Sequence, residues 1–310
     1  LERAKKCPEI FYGDNVYLLY DCENMDAVYY RTFTWDGDAS VTPVLVCEGL
    51  DCFAQLFVDG KKIGESANML IPHEFTLPGL TKGTHELSIR FTSATIKARE
   101  HDVPVFSQAQ PYSFESLYTR KAPHMYGWDI MCRAVSMGIW RHIYIESRPN
   151  AYIKDIFFQT TRLDGNGAVL KCNYNCHIAR GDIRKYRLKI TGICGDSVFQ
   201  TERTLWHTGA TFALHVPNAK LWWPHNYGDA NLYHITAELF DGDTLVHVWE
   251  NDTGIRTVQL DRTSTTNADG EGEFCFIVNG KRIFAMGSNW VPVDAYHSRD
   301  EERLPQILPM

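Results

Sequence analysis

The chain has 310 residues, of which 44% are hydrophobic, and its 31 Lys and Arg against 38 Asp and Glu give a formal net charge of −7. This hydrophobic content excludes a disordered chain, and the acidic balance argues against a nucleic-acid binder, which needs a basic face. No apolar stretch approaches the roughly 18 residues of a membrane span. The length predicts about two domains, with room for a third.

The nine cysteines are an odd number spread over a long chain, which is not typical of a disulfide scaffold. Cys172 and Cys176 lie in one predicted strand, where this separation spans roughly 13 Å, too far for a disulfide. We expect most cysteines to be small buried hydrophobic residues. Residues 1–6 do not read as a signal peptide. The compartment stays open, with a periplasmic or secreted location preferred to a cytoplasmic one.

A β-rich block runs from Val16 to Ser147. Its clearest piece is a hairpin, with strand-like runs on both sides of Asp59-Gly60. Further strands are predicted at Thr84 to Phe91 and at Gly138 to Glu146. Between them, Thr95 to Met137 is a long aperiodic stretch rich in Tyr, Trp and His. Because loops of this length are usually functional or disordered, and the aromatic content argues against disorder, we expect a functional loop.

The next segment alternates between apolar and polar residues. The apolar members of the first run are Leu170, Cys172, Tyr174, Cys176 and Ile178. The same period of two returns at 186–190, 212–216 and 235–239. Strands with one apolar face, separated by turn residues, are typical of an antiparallel sandwich. We therefore predict an immunoglobulin-like domain over about 149–260.

The last fifty residues change character. Thr263 to Gly272 is polar and predicts a linker, and Phe274 to Phe284 predicts a hairpin around Asn279-Gly280. Pro305 fits the first position of a helix, where its missing N–H costs nothing. We expect the chain to stop inside a third domain, shortly after this helix begins.

Aromatic and carboxylate residues in loops are the candidate functional groups, since the motifs for nucleotide and zinc sites are absent from the sequence. Gly127-Trp128-Asp129 lies in the long loop, where an indole could pack on a sugar ring and a carboxylate could accept bonds from its hydroxyls. The alternative is that Trp128 fills a core and Asp129 caps a turn.

Two further aromatic segments have competing interpretations. Asn289 to Asp294, predicted at the end of the last strand, offers an amide, the indole of Trp290 and a carboxylate, or else a packed strand end with an Asx turn. In Leu221-Trp222-Trp223-Pro224 the adjacent indoles would point to opposite faces of a strand, so we interpret the pair as structural.

Taken together, these pieces resemble glycoside hydrolase family 2, and within it the β-mannosidases. The first block is similar to that family's jelly-roll sugar-binding domain and the second to its immunoglobulin-like domain, while the last segment looks like the start of its (β/α)8 barrel. The matching segments are Phe57-Val58-Asp59-Gly60, Arg120-Lys121, Gly127-Trp128-Asp129, Gly138-Ile139-Trp140-Arg141, Leu221-Trp222-Trp223-Pro224, Tyr227-Gly228, Leu232-Tyr233, Gly254-Ile255-Arg256, Val278-Asn279-Gly280 and Gly287 to Pro292.

The resemblance implies a site for the terminal sugar. Asp129 and Trp128 would bind it from the first domain, Trp290 would line the same subsite, and Asn289 would support Trp290. The chain departs from the family pattern after Asp129, where Met131-Cys132-Arg133 replaces Trp-Gly-Pro. The family's acid/base and nucleophile glutamates lie on later barrel strands, and such a barrel needs about 250 residues. Both are therefore expected beyond Met310.

The resulting expectation is an all-β N-terminal portion of a retaining exo-β-glycosidase, with a jelly-roll sandwich at 1–148, an immunoglobulin-like sandwich at 149–261 and a linker with the barrel's first strand at 262–310. Its substrate would be a terminal β-mannoside, with no cofactor, metal, nucleic acid or membrane; whether it forms a homo-oligomer is open. The alternatives are a β-galactosidase, a β-glucuronidase, an exo-β-glucosaminidase, or a non-catalytic carbohydrate-binding module.

Overall fold

The structure, a computed structural model, describes residues 5, 7–37, 41–103, 113–179, 181–263, 268 and 272–308. The chain forms two compact units, the first from Leu1–Ser147 with Trp290–Met310 and the second from Arg148–Asn289. Strands make up most of the regular structure, as the all-β prediction requires. None of the helices in the described ranges is long and apolar enough to span a bilayer.

The first unit is a β-sandwich of antiparallel strands. One sheet has the strand order β1-β7-β4-β5, a second has β6-β2-β9, and β3 pairs with β8. The bounds are β1 (Ala27–Trp35), β2 (Thr42–Cys47), β3 (Leu50–Asp51), β4 (Phe53–Val58), β5 (Lys61–Ala67), β6 (His73–Thr76), β7 (Gly83–Thr92), β8 (Gly138–Ile139) and β9 (Ile143–Arg148). Its core contains the buried side chains Leu45, Leu56, Ile89 and Phe91, and burial of one such side chain contributes about 1.5–3 kcal/mol.

The predicted hairpin at Asp59-Gly60 is confirmed. Asp59 and Gly60 have φ of 49° and 77°, the left-handed pair that matches the twist of two antiparallel strands. The Asp59 carboxylate also accepts a bond from the main-chain N–H of Glu86 (2.9 Å), which ties the turn to β7.

The helices are short. They are α1 (Leu19–Cys22), α2 (Ala94–Ala98) and α3 (Asp300–Ile307), with 3-10 turns at Asn15–Leu18, Phe114–Leu117, Pro123–Tyr126, Ile183–Lys185 and His297–Arg299. The expectation that Pro305 opens a helix is wrong, because α3 begins five residues earlier and Pro305 lies inside it. Acidic side chains at 300–302 fill its first turn, where they are favoured by the helix dipole.

The second unit contains a sandwich of two antiparallel sheets with the strand orders β10-β11-β14 and β13-β12-β15-β16. The bounds are β10 (Ala151–Asp164), β11 (Gly167–Ile178), β12 (Tyr186–Cys194), β13 (Ser197–Thr204), β14 (Gly209–Pro217), β15 (Tyr233–Asp241) and β16 (Thr244–Thr253). The predicted alternation is confirmed, since Leu170, Cys172, Tyr174 and Cys176 of β11 are all buried in its core.

A third sheet of the second unit has the order β17-β18-β19, with β17 (Val258–Thr263), β18 (Glu273–Val278) and β19 (Lys281–Ile283). Asn279 and Gly280 form its hairpin turn, as predicted, with φ of 51° and 77°. Thr263 and Glu273 pair across β17 and β18, so the first residue of the expected linker belongs to β17 and the rest of it connects two strands of this sheet. Most of the linker, including residues 264–267 and 269–271, lies outside the described residues.

The expectation that Asn289 to Asp294 ends a strand is wrong, because β19 ends at Ile283 and no strand is assigned at 284–296. A strand needs a hydrogen-bonded neighbour, and among the described residues this segment has none.

All nine cysteines are described and free, and four of them, Cys47, Cys52, Cys172 and Cys176, are buried. Cys172 and Cys176 lie along one strand without a disulfide, as predicted. Burial raises the pKa of both thiols to about 12. The expectation that most cysteines are buried is wrong, because four others are only partly covered and Cys132 is exposed.

Candidate functional site

Residues 127–133, here called the Trp128 loop, present an indole and a carboxylate to solvent. The main-chain N–H groups of Trp128 and Met131 each donate to the other's carbonyl (2.9 and 3.2 Å), which closes a tight turn with Asp129 and Ile130 at its tip. Trp128 is 53% exposed. Asp129 is also exposed, and its carboxylate has no hydrogen-bond or ion-pair partner within the described ranges.

The loop begins at a position that suits only glycine. Gly127 has φ 96° and ψ 149°, a backbone conformation that is essentially restricted to glycine. A Cβ atom there would lie 3.3 Å from Cβ of Arg133. The alternative in which Trp128 fills a core is therefore not what the structure shows, because the chain leaves Tyr126, which is buried, and turns outward at Gly127.

The loop ends at Arg133, whose guanidinium joins two buried carboxylates. Its Nε donates to both carboxylate oxygens of Glu23 (3.0 Å each) and its Nη2 to Oε2 (2.8 Å). Nη1 and Nη2 also donate to Glu115 (3.4 and 3.3 Å), and Nη1 donates to the carbonyl of Tyr126 (3.3 Å). Arg99 donates to Glu115 as well (3.2 Å). This network holds both ends of the Trp128 loop.

A second buried ion pair supports the segment before the loop. Lys121 donates to the Asp51 carboxylate and to the carbonyl and hydroxyl of Ser136 (2.8 and 3.3 Å). The hydroxyl of Ser136 donates to Asp51 in turn (2.7 Å). Nearby, the Tyr126 hydroxyl hydrogen-bonds Thr119 (2.8 Å), and burial raises the pKa of this phenol. The base of the Trp128 loop is thus packed and hydrogen-bonded.

The Trp128 loop and the carboxylates bonded to Arg133 border a cavity of about 570 Å³, here called the Trp128 pocket. Three aromatic and four charged side chains share its surface, and its volume lies within the range of small-molecule sites. Its lining residues are Tyr20, Glu23, Asn24, Arg99, Phe114, Glu115, Gly127, Trp128, Met131 and Arg133. No group of three or more His, Cys, Asp or Glu side chains in the described ranges is arranged to hold a metal ion.

The second predicted segment divides between the two units. Trp290 is 57% exposed and belongs to the first unit with Trp128 and Asp129, whereas Asn289 belongs to the second. Trp290 does not line the Trp128 pocket. Asp294 is buried, accepts from the main-chain N–H of Tyr296 (2.9 Å), and pairs with Arg299 and Arg303 (3.4 and 2.8 Å). For this carboxylate the Asx-turn interpretation is confirmed.

The segment after Asp294 packs on the 3-10 turn that precedes the loop. The rings of His297 and His124 meet edge to face at 4.9 Å, and Nδ1 of His297 is 2.7 Å from the Asp300 carboxylate. Burial, and then the proximity of His297, lower the pKa of His124. This contact connects α3 to residues 123–126 within the first unit.

Two family models match the chain, "Glycosyl hydrolase 2 galactose-binding domain-like" over residues 1–141 and "Glycosyl hydrolases family 2" over residues 151–256. The chain belongs to glycoside hydrolase family 2. The predicted family and the order of its two sandwich domains are therefore confirmed.

Named relatives of this family-2 chain include β-mannosidases. β-Mannosidase B of Aspergillus clavatus is 30% identical over 264 residues, which cover 81% of this chain and 30% of that protein. The β-D-mannosidase of Dictyoglomus thermophilum superposes with a TM-score of 0.86 at 26% identity and covers 100% of this chain and 39% of its own. A β-glucuronidase of Bifidobacterium dentium, with TM-score 0.60 at 22% identity over 83% of this chain and 42% of its own, shares the fold. The chain thus spans between 30% and 42% of the length of these relatives.

Sequence reasoning missed the residues that hold the site. Glu23 and Glu115 are separated from Arg133 by 110 and 18 positions, and no short motif connects them. In the sequence, Arg133 stands out only as part of a departure from the family pattern. An arginine four positions after Gly-Trp-Asp is the one available signal, because a guanidinium that becomes buried needs an acidic partner.

Proposed function

We propose that this family-2 chain is the N-terminal part of a retaining exo-β-glycosidase, and that Trp128 and Asp129 bind the terminal sugar. The observation that carries the proposal is the exposed turn at 128–131, which sets an indole beside a free carboxylate on a fixed base. An indole face packs on the C–H side of a sugar ring, and a carboxylate accepts bonds from its hydroxyls.

We infer a β-mannoside as the substrate. Support comes from two relatives that are named β-mannosidases, the Aspergillus clavatus protein at 30% identity and the Dictyoglomus thermophilum protein at 26% identity. Trp290, also exposed and in the same unit, is proposed as a second aromatic contact for the sugar, with Asn289 as its neighbour and support.

The catalytic pair is proposed to lie beyond Met310. A retaining glycosidase needs two carboxyl groups about 5–5.5 Å apart, one as acid/base and one as nucleophile, and it needs no cofactor. The proposal agrees with the matched share of the relatives, about a third of their length. The role assigned to this chain is then to bind and orient the sugar, and the 310-residue chain alone is expected to be inactive.

The first test uses the complete gene product with p-nitrophenyl β-mannoside, β-galactoside, β-glucuronide and β-glucosaminide. A strong preference for the mannoside is expected. Preference for another sugar would keep the family and fold but refute the inferred substrate. Turnover by the pure 310-residue chain would refute the proposal that the catalytic pair lies beyond Met310.

The second test is Asp129→Ala in the complete gene product. Loss of hydrogen bonds between a charged group and the sugar should cost about 2–4 kcal/mol of transition-state stabilisation, or roughly 30- to 1,000-fold in kcat/KM. Asp14→Ala is the matched control, because Asp14 is an exposed aspartate of the same unit without a side-chain capping bond. Equal kinetics for both variants and the wild type would leave Asp129 as a turn residue only.

A further inference from the structure

The Trp128 loop is held at both ends by a single guanidinium. Arg133, the last residue of the loop, donates to the carbonyl of Tyr126, the residue just before it (3.3 Å). We propose that Arg133 is a positioning residue, which sets the direction in which Trp128 and Asp129 project from the first unit. Its function in sugar binding rests on the function proposed above, whereas its effect on Trp128 does not.

The main chain of Glu23, whose carboxylate accepts from Arg133, is itself held by hydrogen bonds. The main-chain carbonyl of Glu23 accepts from the buried hydroxyl of Ser93, and its N–H donates to the carbonyl of Leu19 (3.2 Å). Ser93 is further held by a bond from its N–H to the Asp26 carboxylate (3.0 Å). Because the main chain of Glu23 is bonded to Ser93 at the end of β7, the bidentate pair connects the loop to the sandwich.

The charges also require an arginine at this position. The Glu23 and Glu115 side chains are almost fully buried, and the Arg133 guanidinium contacts both. A planar group with five donors can reach two carboxylates and a carbonyl at once, which a lysine ammonium cannot do in the same geometry. The packing of the guanidinium over the Tyr126 ring, 5.5 Å from its centre, further restricts its orientation.

A merely structural arginine would neutralise the two glutamates without setting the direction of Trp128. The two roles differ in what happens to the Trp128 ring in a protein that stays folded. If Arg133 positions the loop, its loss changes the surroundings of Trp128 at unchanged overall fold. If it only balances charge, its loss lowers stability and leaves the Trp128 ring where it was.

The test labels the eight tryptophans of the chain with 5-fluorotryptophan and records their ¹⁹F resonances. Trp128→Phe assigns the resonance of interest. In Arg133→Gln that resonance is expected to shift or broaden. Arg187→Gln is the matched control, because Arg187 of the second unit also donates to two carboxylates and a carbonyl, those of Glu202, Asp243 and Gly242. It should leave the Trp128 resonance unchanged.

Glu23→Gln provides a second variant in case Arg133→Gln does not fold. It keeps an oxygen acceptor for Arg133 but removes the charge, so the Trp128 resonance should move in the same direction and by less. An unmoved Trp128 resonance in a folded Arg133→Gln or, failing that, Glu23→Gln protein would overturn the inference.

Kinetics of the complete gene product separate this inference from the proposed function. A misplaced binding loop should lower kcat/KM of Arg133→Gln by about 10- to 100-fold. If the Trp128 resonance moves and kcat/KM does not, Arg133 still positions the loop, and the sugar-binding role of the loop is refuted instead.

Discussion

Replacing Lys121 by methionine should destabilise the first unit by about 3–5 kcal/mol, the range for a buried ion pair that loses one partner. The Lys121 side chain is 0% exposed and that of Asp51 3%. Methionine fills similar space but carries no charge. Within the described part of the chain, the Asp51 carboxylate would then keep only the hydroxyl of Ser136 as a donor (2.7 Å).

Two further variants test the reasoning behind this magnitude. Lys62→Met removes a pair of similar chemistry, but Lys62 and Glu65 are 45% and 67% exposed, so the cost should stay below about 1 kcal/mol. Adding Asp51→Asn to Lys121→Met removes the uncompensated charge. The double variant should therefore recover part of the stability that the single variant loses.

Hydrogen exchange read by mass spectrometry is the suitable assay, because peptides from each unit report separately. Peptides from β4 and β7 measure the opening free energy of the first unit, and peptides from β11 and β15 serve as the internal reference. The reasoning would be refuted if Lys121→Met changed the first unit by less than about 1 kcal/mol, or if the double variant were no more stable than the single one.

Two other variants follow from the surroundings of the Trp128 loop. Gly127→Ala should cost about 1–3 kcal/mol, since it forces alanine into a glycine-only conformation against Arg133. Thermal melting should show a smaller loss for Gly13→Ala, because an added Cβ there would have none of the described residues, apart from its chain neighbours, within 4 Å. The pKa of His124 should lie below its ordinary value of 6.5, because burial and then His297 disfavour the charged ring. As the pH falls below 6.5 the unfolded chain binds a proton that the folded chain does not, so the free energy of unfolding should decrease. NMR titration of the His124 ring measures this pKa, and a value of 6.5 or above would contradict the expectation. His124→Asn should make the free energy of unfolding depend less on pH.

The parts of the fold that the sequence predicts are those with a short-range cause. Alternating Leu170 and Cys172 must face one side of a strand, and Asp59-Gly60 favours a left-handed turn, so these features need only neighbouring residues. The order of the two sandwiches followed from family resemblance. Pro305 does not begin the helix because its preference for the first position is weak against that of three acidic residues, which form the first turn of α3.

The candidate site likewise has a part that the sequence predicts and a part that only the structure shows. Gly127-Trp128-Asp129 could be found by its residue types, and its exposure follows from the backbone that only Gly127 can adopt. The partners of Asp294 could not be foreseen, since a carboxylate in a loop is compatible with both substrate binding and an ion pair. The structure shows the ion pair, because Arg299 and Arg303 both contact a carboxylate oxygen of Asp294. These contacts depend on how the turn and the helix pack, which the sequence does not give.

Arg133 shows why a departure from a family pattern is informative. Met131-Cys132-Arg133 differs from the expected Trp-Gly-Pro, which left the shape of the loop open. The structure shows a turn closed by Met131 and a base closed by Arg133, so different residues still fix the exposed Trp128 and Asp129. Because the restraint comes from Glu23 and Glu115, distant in sequence, we expect the loop to tolerate changes at its tip as long as these carboxylates and the arginine are kept together.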